Sequence, residues 1–198
     1  MTTQTQSDEV ADFPRFLRTI QNEINSPVIQ LYDKHIVSKY KQVILNQEQV
    51  VEGLMDQNVI NGTLLMQVNL VKQEITRINY YITLYLKVRL SKVLQMARMG
   101  SNDTAKLTPE ENTVFLAYST IRNDYMTASG LTIQEKKPVN LEIKRNSSYV
   151  FVKILSPISN FKISPDDEEG FYLEKNAIYL FPYSSVAEFV NSDYLELI

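Results

Sequence analysis

Few residues in this sequence could carry out catalysis. The chain of 198 residues has one histidine, His35, and no cysteine. A nucleophile with an imidazole base would have to be built around His35, while thiolate chemistry and sulfur-based zinc sites are excluded. Carboxylate pairs occur at Glu110-Glu111 and Asp166-Asp167, but a helix start and a turn account for them. The sequence therefore predicts no catalytic residues, no metal site and no enzyme.

The glycines also lack the spacing of a nucleotide-binding loop. They stand singly, so neither a P-loop nor a dinucleotide-binding fingerprint can form, and no cofactor is expected. Their positions are Gly53, Gly62, Gly100, Gly130 and Gly170. With 20 Lys+Arg against 23 Asp+Glu, the net charge is -3, so no global positive field attracts nucleic acid. Any direct contact with DNA would be local, and we expect it to be weak.

One segment, residues 63–99, is nevertheless basic, with Glu74 as its single acid. Because successive residues of a helix are about 100° apart, the basic residues of this segment point in all directions around the helix. Such an arrangement suits charged hydrogen bonds to acidic partner proteins at least as well as it suits contacts with a nucleic-acid backbone. Three tyrosines of the segment, Tyr80, Tyr81 and Tyr85, cannot all face one core, so some should meet a partner. The basic residues are Lys72, Arg77, Lys87, Arg89, Lys92 and Arg98.

Hydrophobic periodicity places this basic segment on the longest of four predicted helices. Apolar residues recur every three or four positions over residues 63–99, and a second helix is predicted over 31–59. The turn at Asn61-Gly62 would lay the two helices antiparallel. Their outer faces need more cover than a short first helix can supply, which indicates partner helices.

Two shorter helices flank this pair. The first is predicted to begin after Asp12, with Pro14 in its first turn, and to end before Ser26-Pro27, because the residue before a proline resists the helical conformation. The capping box Thr108-Pro109-Glu110-Glu111 predicts the start of the fourth helix, which Gly130 ends. The fourth helix carries an apolar stripe formed by Val114, Ala117, Tyr118, Ile121 and Tyr125.

The pattern changes after the fourth helix. β-branched and aromatic runs predict strands, and the acidic segment 166–169 is interpreted as a solvated turn rather than an ion site. The fold class is mainly α with a small β module: an elongated helical domain over residues 1–128, a linker over 129–145 and a small C-terminal β-rich domain over 146–198. The predicted elements of this last domain are strands at 149–154, 177–181 and 194–198 and a helical turn at 186–190.

The N-terminal ten residues lack the basic start and apolar run of a signal peptide. No uninterrupted apolar stretch of about 18 residues occurs in the sequence, which is the length that a membrane-spanning helix needs. We therefore expect a soluble intracellular protein that makes no membrane contact.

A family resemblance appears at residues 77–93, whose sequence RINYYITLYLKVRLSKV is similar to the signature R-I-x-Y-x-L-x-x-Y-L-R-x-R-L-x-K-I of the GINS family. Three further stretches agree in order with the Sld-five-type subunits of that family. The stretch NEINSP at 22–27 is similar to N-E-x-x-A-P, LTPEE at 107–111 to L-S-P-E-E, and SYVFVKI at 148–154 to S-Y-V-F-x-R-V. A second GINS subunit type shares this domain order and stays open as an alternative, as does an independent helical DNA-binding module.

The resemblance implies a non-catalytic scaffold. GINS is a heterotetramer of four related subunits that joins the MCM helicase ring and a RecJ-like companion in the eukaryotic replicative helicase and helps to connect replicative polymerases. The chain would act in the nucleus in initiation and elongation of DNA replication, with three other GINS subunits as partners. The residues that the resemblance implies at subunit interfaces are Arg77, Tyr80, Tyr85, Arg89, Lys92, Tyr149, Phe151, Tyr194, Leu197 and Ile198.

Overall fold

The computed structural model describes residues 3–55, 62–101, 104–130, 148–164, 167, 169–190, 192 and 194–198, with side chains from residue 13 onward. Long helices come first and a small antiparallel sheet module follows, which confirms the predicted fold class. The helices are α1 Thr3–Asn25, α2 Lys34–Met55, α3 Gly62–Met99, α4 Pro109–Ala128 and α5 Tyr183–Val186. The strands are β1 Tyr149–Ile154, β2 Ile158–Phe161, β3 Phe171–Leu173, β4 Ile178–Pro182 and β5 Leu195–Leu197.

The chain divides into two compact units, and the division passes through α3. One unit consists of residues 33–87, and the other combines residues 1–32 with residues 88–198. The predicted linker over residues 129–145 stays a prediction, because residues 131–147 lie outside the described part of the chain.

The two central helices follow the hydrophobic pattern. α3 begins one residue before its predicted start and ends at Met99 as predicted. α2 begins at Lys34 rather than at residue 31, because the Asp33 carboxylate caps it by accepting a hydrogen bond from the Ile36 N–H at 3.0 Å. The predicted end of α2 at residue 59 lies outside the described residues.

The predicted start of the first helix is wrong. α1 begins at Thr3, so Pro14 lies inside the helix rather than in its first turn. A proline removes one backbone donor but does not always end a helix, and here the helix continues on both sides of it. The other end is confirmed, since α1 stops at Asn25 before Ser26-Pro27.

The fourth helix begins at the predicted capping box. The Glu111 N–H donates to Thr108 Oγ1 at 3.2 Å, and the Thr108 N–H donates to Glu111 Oε2 at 2.9 Å. Gly130 follows the helix with a φ of 65°, the left-handed conformation that glycine adopts readily. The buried residue of α4 is Phe115, while the apolar stripe predicted from Val114 to Tyr125 is largely exposed.

The C-terminal sheet has the strand order β4-β1-β5 with antiparallel pairing. Alternate residues of β1 point into a hydrophobic core, which Val28 joins from the segment after α1. The predicted strands at 149–154, 177–181 and 194–198 correspond to β1, β4 and β5. The pair β2 and β3 was not predicted, because these strands have four and three residues and a register shift interrupts their pairing. The short helix lies at Tyr183–Val186, slightly before the predicted turn.

Candidate protein-protein interface and buried charge cluster

Arg89 lies in the interior of the second unit, with 0% of its surface exposed. Its Nε and Nη2 donate to the two carboxylate oxygens of Glu111 at 2.7 and 2.9 Å. Its Nη1 donates to Glu23 Oε2 at 3.0 Å and to the Gln30 carbonyl at 2.7 Å, and Nη2 also donates to the Lys106 carbonyl at 3.2 Å. These five hydrogen bonds match the five N–H donors of a guanidinium group. The chain therefore satisfies this charge internally.

Lys92 follows Arg89 on α3 and binds the same acidic residue. Its Nζ donates to Glu23 Oε1 at 2.7 Å, to the Val28 carbonyl at 3.1 Å and to the Glu23 carbonyl. The Lys92 side chain is 11% exposed and that of Glu23 is 1% exposed. We call Glu23, Arg89, Lys92 and Glu111 the buried charge cluster. Two acids and two bases leave it neutral, which offsets much of the cost of removing each charge from water.

Glu111 links the cluster to the start of α4, because its carboxylate completes the capping box and also binds Arg89. Burial by itself would raise the pKa of Glu111. The hydrogen bonds from Arg89 and from the Thr108 backbone, with the charge of Arg89, outweigh burial and hold this pKa below its usual value. The lowered pKa means that Glu111 keeps its negative charge to a lower pH than an exposed glutamate does.

The segment at the end of α1 joins the helices of this unit to the sheet module. The Asn22 amide donates to the Val190 carbonyl at 2.8 Å, and its oxygen accepts the Leu197 N–H at 2.8 Å. Asn25 Nδ2 donates to the Leu197 carbonyl at 3.2 Å, and Gln30 Nε2 donates to the Tyr183 hydroxyl at 2.6 Å. The stretch at 22–27 therefore holds the last strand of the sheet against α1.

Sequence reasoning missed the roles of Glu23, Asn22 and Gln30, although one signal was present. Arg89 falls on the same helical face as the apolar residues Tyr85 and Val93, at spacings of four residues. A charge on a buried face needs an oppositely charged partner, and a search for acids in the other matched stretches would have reached Glu23 and Glu111.

The ten predicted interface residues fall into two groups. Tyr85, Arg89 and Leu197 are fully buried within the chain, and Lys92 is largely buried. The contacts that these residues make in the structure lie inside the chain, and their place at a subunit interface stays a prediction. The exposed residues are Arg77, Tyr80, Tyr149, Phe151, Tyr194 and Ile198.

Three of the exposed residues lie on one face of the C-terminal sheet. Phe151 is opposite Leu180 across β1 and β4, and on its other side the Ile198 N–H donates to the Phe151 carbonyl at 3.0 Å. Tyr149 and Ile178 extend this apolar row on the same face, and the ion pair between Lys153 and Glu196, at 3.2 Å, borders it. We call Tyr149, Phe151, Ile178, Leu180 and Ile198 the outer sheet face. An exposed apolar surface of this kind is typical of a protein-protein contact.

The described residues contain no group of three or more histidine, cysteine, aspartate or glutamate side chains placed to hold a metal ion. His35 lies exposed on α2, beside Lys34 and Lys39 in a shallow depression of the surface. Among the helices of the described part of the chain, none is both long and apolar enough to cross a membrane. In the acidic turn at 166–169, the Asp167 carboxylate accepts a hydrogen bond from the Ser164 N–H at 2.8 Å.

Comparison with known proteins gives matches along most of the chain. The model of the GINS complex protein helical bundle domain matches residues 38–130, and that of the DNA replication complex GINS protein SLD5 C-terminus matches residues 130–198. The chain is also similar to the DNA replication complex GINS protein SLD5 of Debaryomyces hansenii. The two share 22% identity over 207 residues, which cover 90% of this chain and 83% of that protein. These matches agree with the signature at residues 77–93, and the chain therefore belongs to the GINS family, as an Sld5-type subunit of the DNA replication machinery.

Proposed function

We propose that the chain is a non-catalytic structural subunit of a heterotetrameric GINS complex. In this proposal it acts in the nucleus with three other GINS subunits, and the assembled complex joins the MCM helicase ring and the RecJ-like companion in initiation and elongation of DNA replication. Family membership supports the general role, and the outer sheet face is the single structural observation that carries the proposal.

The distribution of polar and apolar groups favours a scaffold. The buried charge cluster binds α1, α4 and the C-terminal part of α3 together within one unit, so Arg89 and Lys92 of the family signature act inside the subunit. The outer sheet face, in contrast, leaves a cross-strand apolar row exposed. A rigid interior with uncovered apolar surface is what a subunit of a permanent complex needs, because obligate interfaces resemble a hydrophobic core cut in half.

Residues that remain exposed are the proposed contact residues for neighbouring subunits. Phe151 is the centre of the outer sheet face, and large aromatic side chains in the centre of an interface carry a large share of its binding energy. Tyr149 and Ile198 flank it, and Tyr194 precedes β5. In this proposal Arg77 and Tyr80 contribute from α3.

The experiment compares two phenylalanines with matched exposure. Phe151 is 56% exposed on the outer sheet face, and Phe171 is 53% exposed on β3 of the other sheet. Each is changed to Asp in a tagged chain that is co-expressed with the three other GINS subunits and with untagged wild-type chain as competitor. Phe151→Asp should enter the purified complex at least tenfold less than wild type, because a carboxylate would be desolvated in the interface, while Phe171→Asp should enter within about twofold.

Far-UV circular dichroism of both variants checks that each keeps the native helix content. Equal incorporation of Phe151→Asp and Phe171→Asp would remove the outer sheet face from the proposal. Failure of the wild-type chain to enter any complex with the three other subunits would overturn the scaffold function itself.

A further inference from the structure

The C-terminal sheet has one covered edge and one uncovered edge. At the β5 edge, the Leu197 N–H donates to the side chain of Asn22, and the Leu197 carbonyl accepts a hydrogen bond from Asn25, so α1 closes this edge. At the opposite edge, no strand within the described part of the chain pairs with the outer side of β4, which we call the open edge. An unpaired edge strand presents backbone donors and acceptors to which another strand can bind.

The pairing of β4 with β1 determines which backbone groups face the open edge. The Ile154 N–H donates to the Ala177 carbonyl at 3.0 Å, so the backbone groups of Ala177 face β1. Because these groups alternate in direction along a strand, the N–H and C=O groups of Ile178 and Leu180 point away from β1. Pro182, which lacks an N–H group, ends this row, and a proline within a sheet is typical of an edge strand.

The two residues that face the open edge also expose apolar side chains. On the outer sheet face, Ile178 is 61% exposed and Leu180 is 52% exposed. A strand added beside them would pair the backbone groups and would also remove part of this apolar surface from water. The open edge therefore favours a strand that places apolar side chains on the outer sheet face.

A stretch of the chain that precedes β1 has the sequence pattern of such a strand. Val139, Leu141 and Ile143 alternate with polar residues, and this alternation predicts a strand with one apolar face. The stretch lies within residues 131–147, outside the described part of the chain, which resumes at Ser148. The matched model of the C-terminal domain begins at residue 130, so it includes this stretch together with the sheet.

From these observations we infer that residues 139–143 form an additional strand on the open edge of β4. The strand runs parallel to β4, and Leu141 lies beside Leu180 on the outer sheet face. The added strand extends the apolar row of that face by one strand. The inference concerns contacts within the chain, so it does not depend on assembly with other subunits.

The point at which the chain enters the sheet determines the direction of this strand. The Ser148 carbonyl accepts the Tyr183 N–H at 2.8 Å, so Ser148 lies at the C-terminal end of β4. A strand that leads to Ser148 from the open edge must end on this side, and it therefore runs parallel to β4. The connection crosses two strand spacings, about 10 Å, and the chain from residue 143 to residue 148 can span about 16 Å.

Two other occupants fit the open edge less well. The β4 strand of a second copy, or an extended peptide of another protein, could pair with the same backbone groups. Both would lose translational and rotational freedom on binding, whereas residues 139–143 are already joined to the sheet through Ser148. A short connection gives such a segment an effective concentration of about millimolar. The tethered segment is therefore the favoured occupant.

Hydrogen exchange of the full chain, resolved to single amides, tests for the added strand. The Ile178 and Leu180 amides should exchange at least tenfold more slowly than unstructured amides, because a strand covers them. In the inferred register the Glu142 N–H donates to the Leu180 carbonyl, and Glu142→Pro removes this donor. This variant should speed the exchange of both amides at least tenfold.

The matched control is Glu135→Pro. It makes the same substitution ahead of the inferred strand, so it should alter the exchange rates of the Ile178 and Leu180 amides by less than about twofold. In both variants the Tyr179 amide, which faces β1, should keep the protection that it has in the wild-type chain. Its protection shows that the rest of the sheet is intact.

An engineered disulfide tests the register independently. The chain has no cysteine, so Leu141→Cys and Leu180→Cys together introduce a single pair of thiols. Neighbouring strands lie about 4.8 Å apart, which is within reach of a disulfide. Oxidised glutathione should link this pair within one chain at least tenfold faster than the pair Glu142→Cys and Leu180→Cys, because residue 142 would point to the opposite face.

Four results would overturn the inference. Unprotected Ile178 and Leu180 amides in the full chain, equal effects of the two proline variants, or equal rates of disulfide formation would show that residues 139–143 do not pair with β4 as inferred. Disulfide-linked dimers of the single variant Leu180→Cys, without an intramolecular link in the Leu141→Cys double variant, would assign the open edge to a second copy. Protection that arises only after the three other GINS subunits are added would assign it to a strand of a partner.

Discussion

Replacement of Arg89 by Met tests the buried charge cluster most severely. The variant keeps a long apolar side chain but removes the guanidinium group that binds Glu23, Glu111 and two backbone carbonyls. Lys92 continues to compensate Glu23, whereas Glu111 loses its cationic partner and keeps its hydrogen bonds with Thr108 at the start of α4. Breaking a buried ion pair from one side costs about 3–5 kcal/mol, since an uncompensated charge remains in the interior. Because whole domains are stable by about 5–15 kcal/mol, this loss is a large share of the total.

Urea unfolding, followed by circular dichroism at 222 nm, measures this difference. Arg77→Met is the matched control, because it makes the same exchange at an exposed position of the same helix and should change the free energy of unfolding by less than about 0.5 kcal/mol. The variant Arg89→Met should have a clearly lower urea midpoint with a similar slope of free energy against urea. If its free energy of unfolding lies within about 0.5 kcal/mol of the Arg77→Met value, the cluster does not stabilise the fold as argued.

Three further predictions concern the contacts around this cluster. The pKa of Glu111 in the folded chain is lower than its usual value of 4.5. The stabilisation that the Glu111 carboxylate contributes is therefore complete above pH 4.5 and is lost as the pH falls through the folded pKa. The variant Glu111→Gln should accordingly flatten the acid side of a curve of unfolding free energy against pH. Loss of the helix cap in Thr108→Ala should lower the free energy of unfolding by about 1 kcal/mol, whereas Thr113→Ala, at an exposed site on the same helix, should have almost no effect in urea titrations. The change Asn22→Ala should speed hydrogen exchange of the Leu197 amide at least tenfold, and unchanged protection would show that this side chain does not hold the last strand.

Long periodic elements could be predicted from the sequence because their signals are local. α3 repeats its apolar spacing over more than thirty residues, and the capping box at Thr108 fixes the start of α4 within four residues of sequence. The start of α1 could not be predicted in this way, since Pro14 is compatible with both a helix start and a helix interior. The strands β2 and β3 are too short for the alternation of side chains to stand out.

The site was harder to predict because its contacts join distant parts of the chain. Arg89 could be selected from the family signature, but its partner Glu23 lies 66 residues earlier in the chain. No local sequence pattern links two residues that are so far apart, so their contact could not be predicted. The family signature therefore selected Arg89 as a candidate interface residue but contained no signal for its position in the interior of the chain. Phe151 was selected from the family resemblance as an interface residue, which stays a prediction, and strand alternation places it on the face opposite the buried Val150 and Val152.

The most direct test of the central claim is the mass of the assembly that this chain forms. The full chain is co-expressed with the three other GINS subunits, and the material purified through a tag on this chain is measured by size exclusion with light scattering. The scaffold function predicts a single species with one copy of each of the four chains. A monodisperse monomer of 22.9 kDa, recovered while the other three subunits are present in excess, would contradict it.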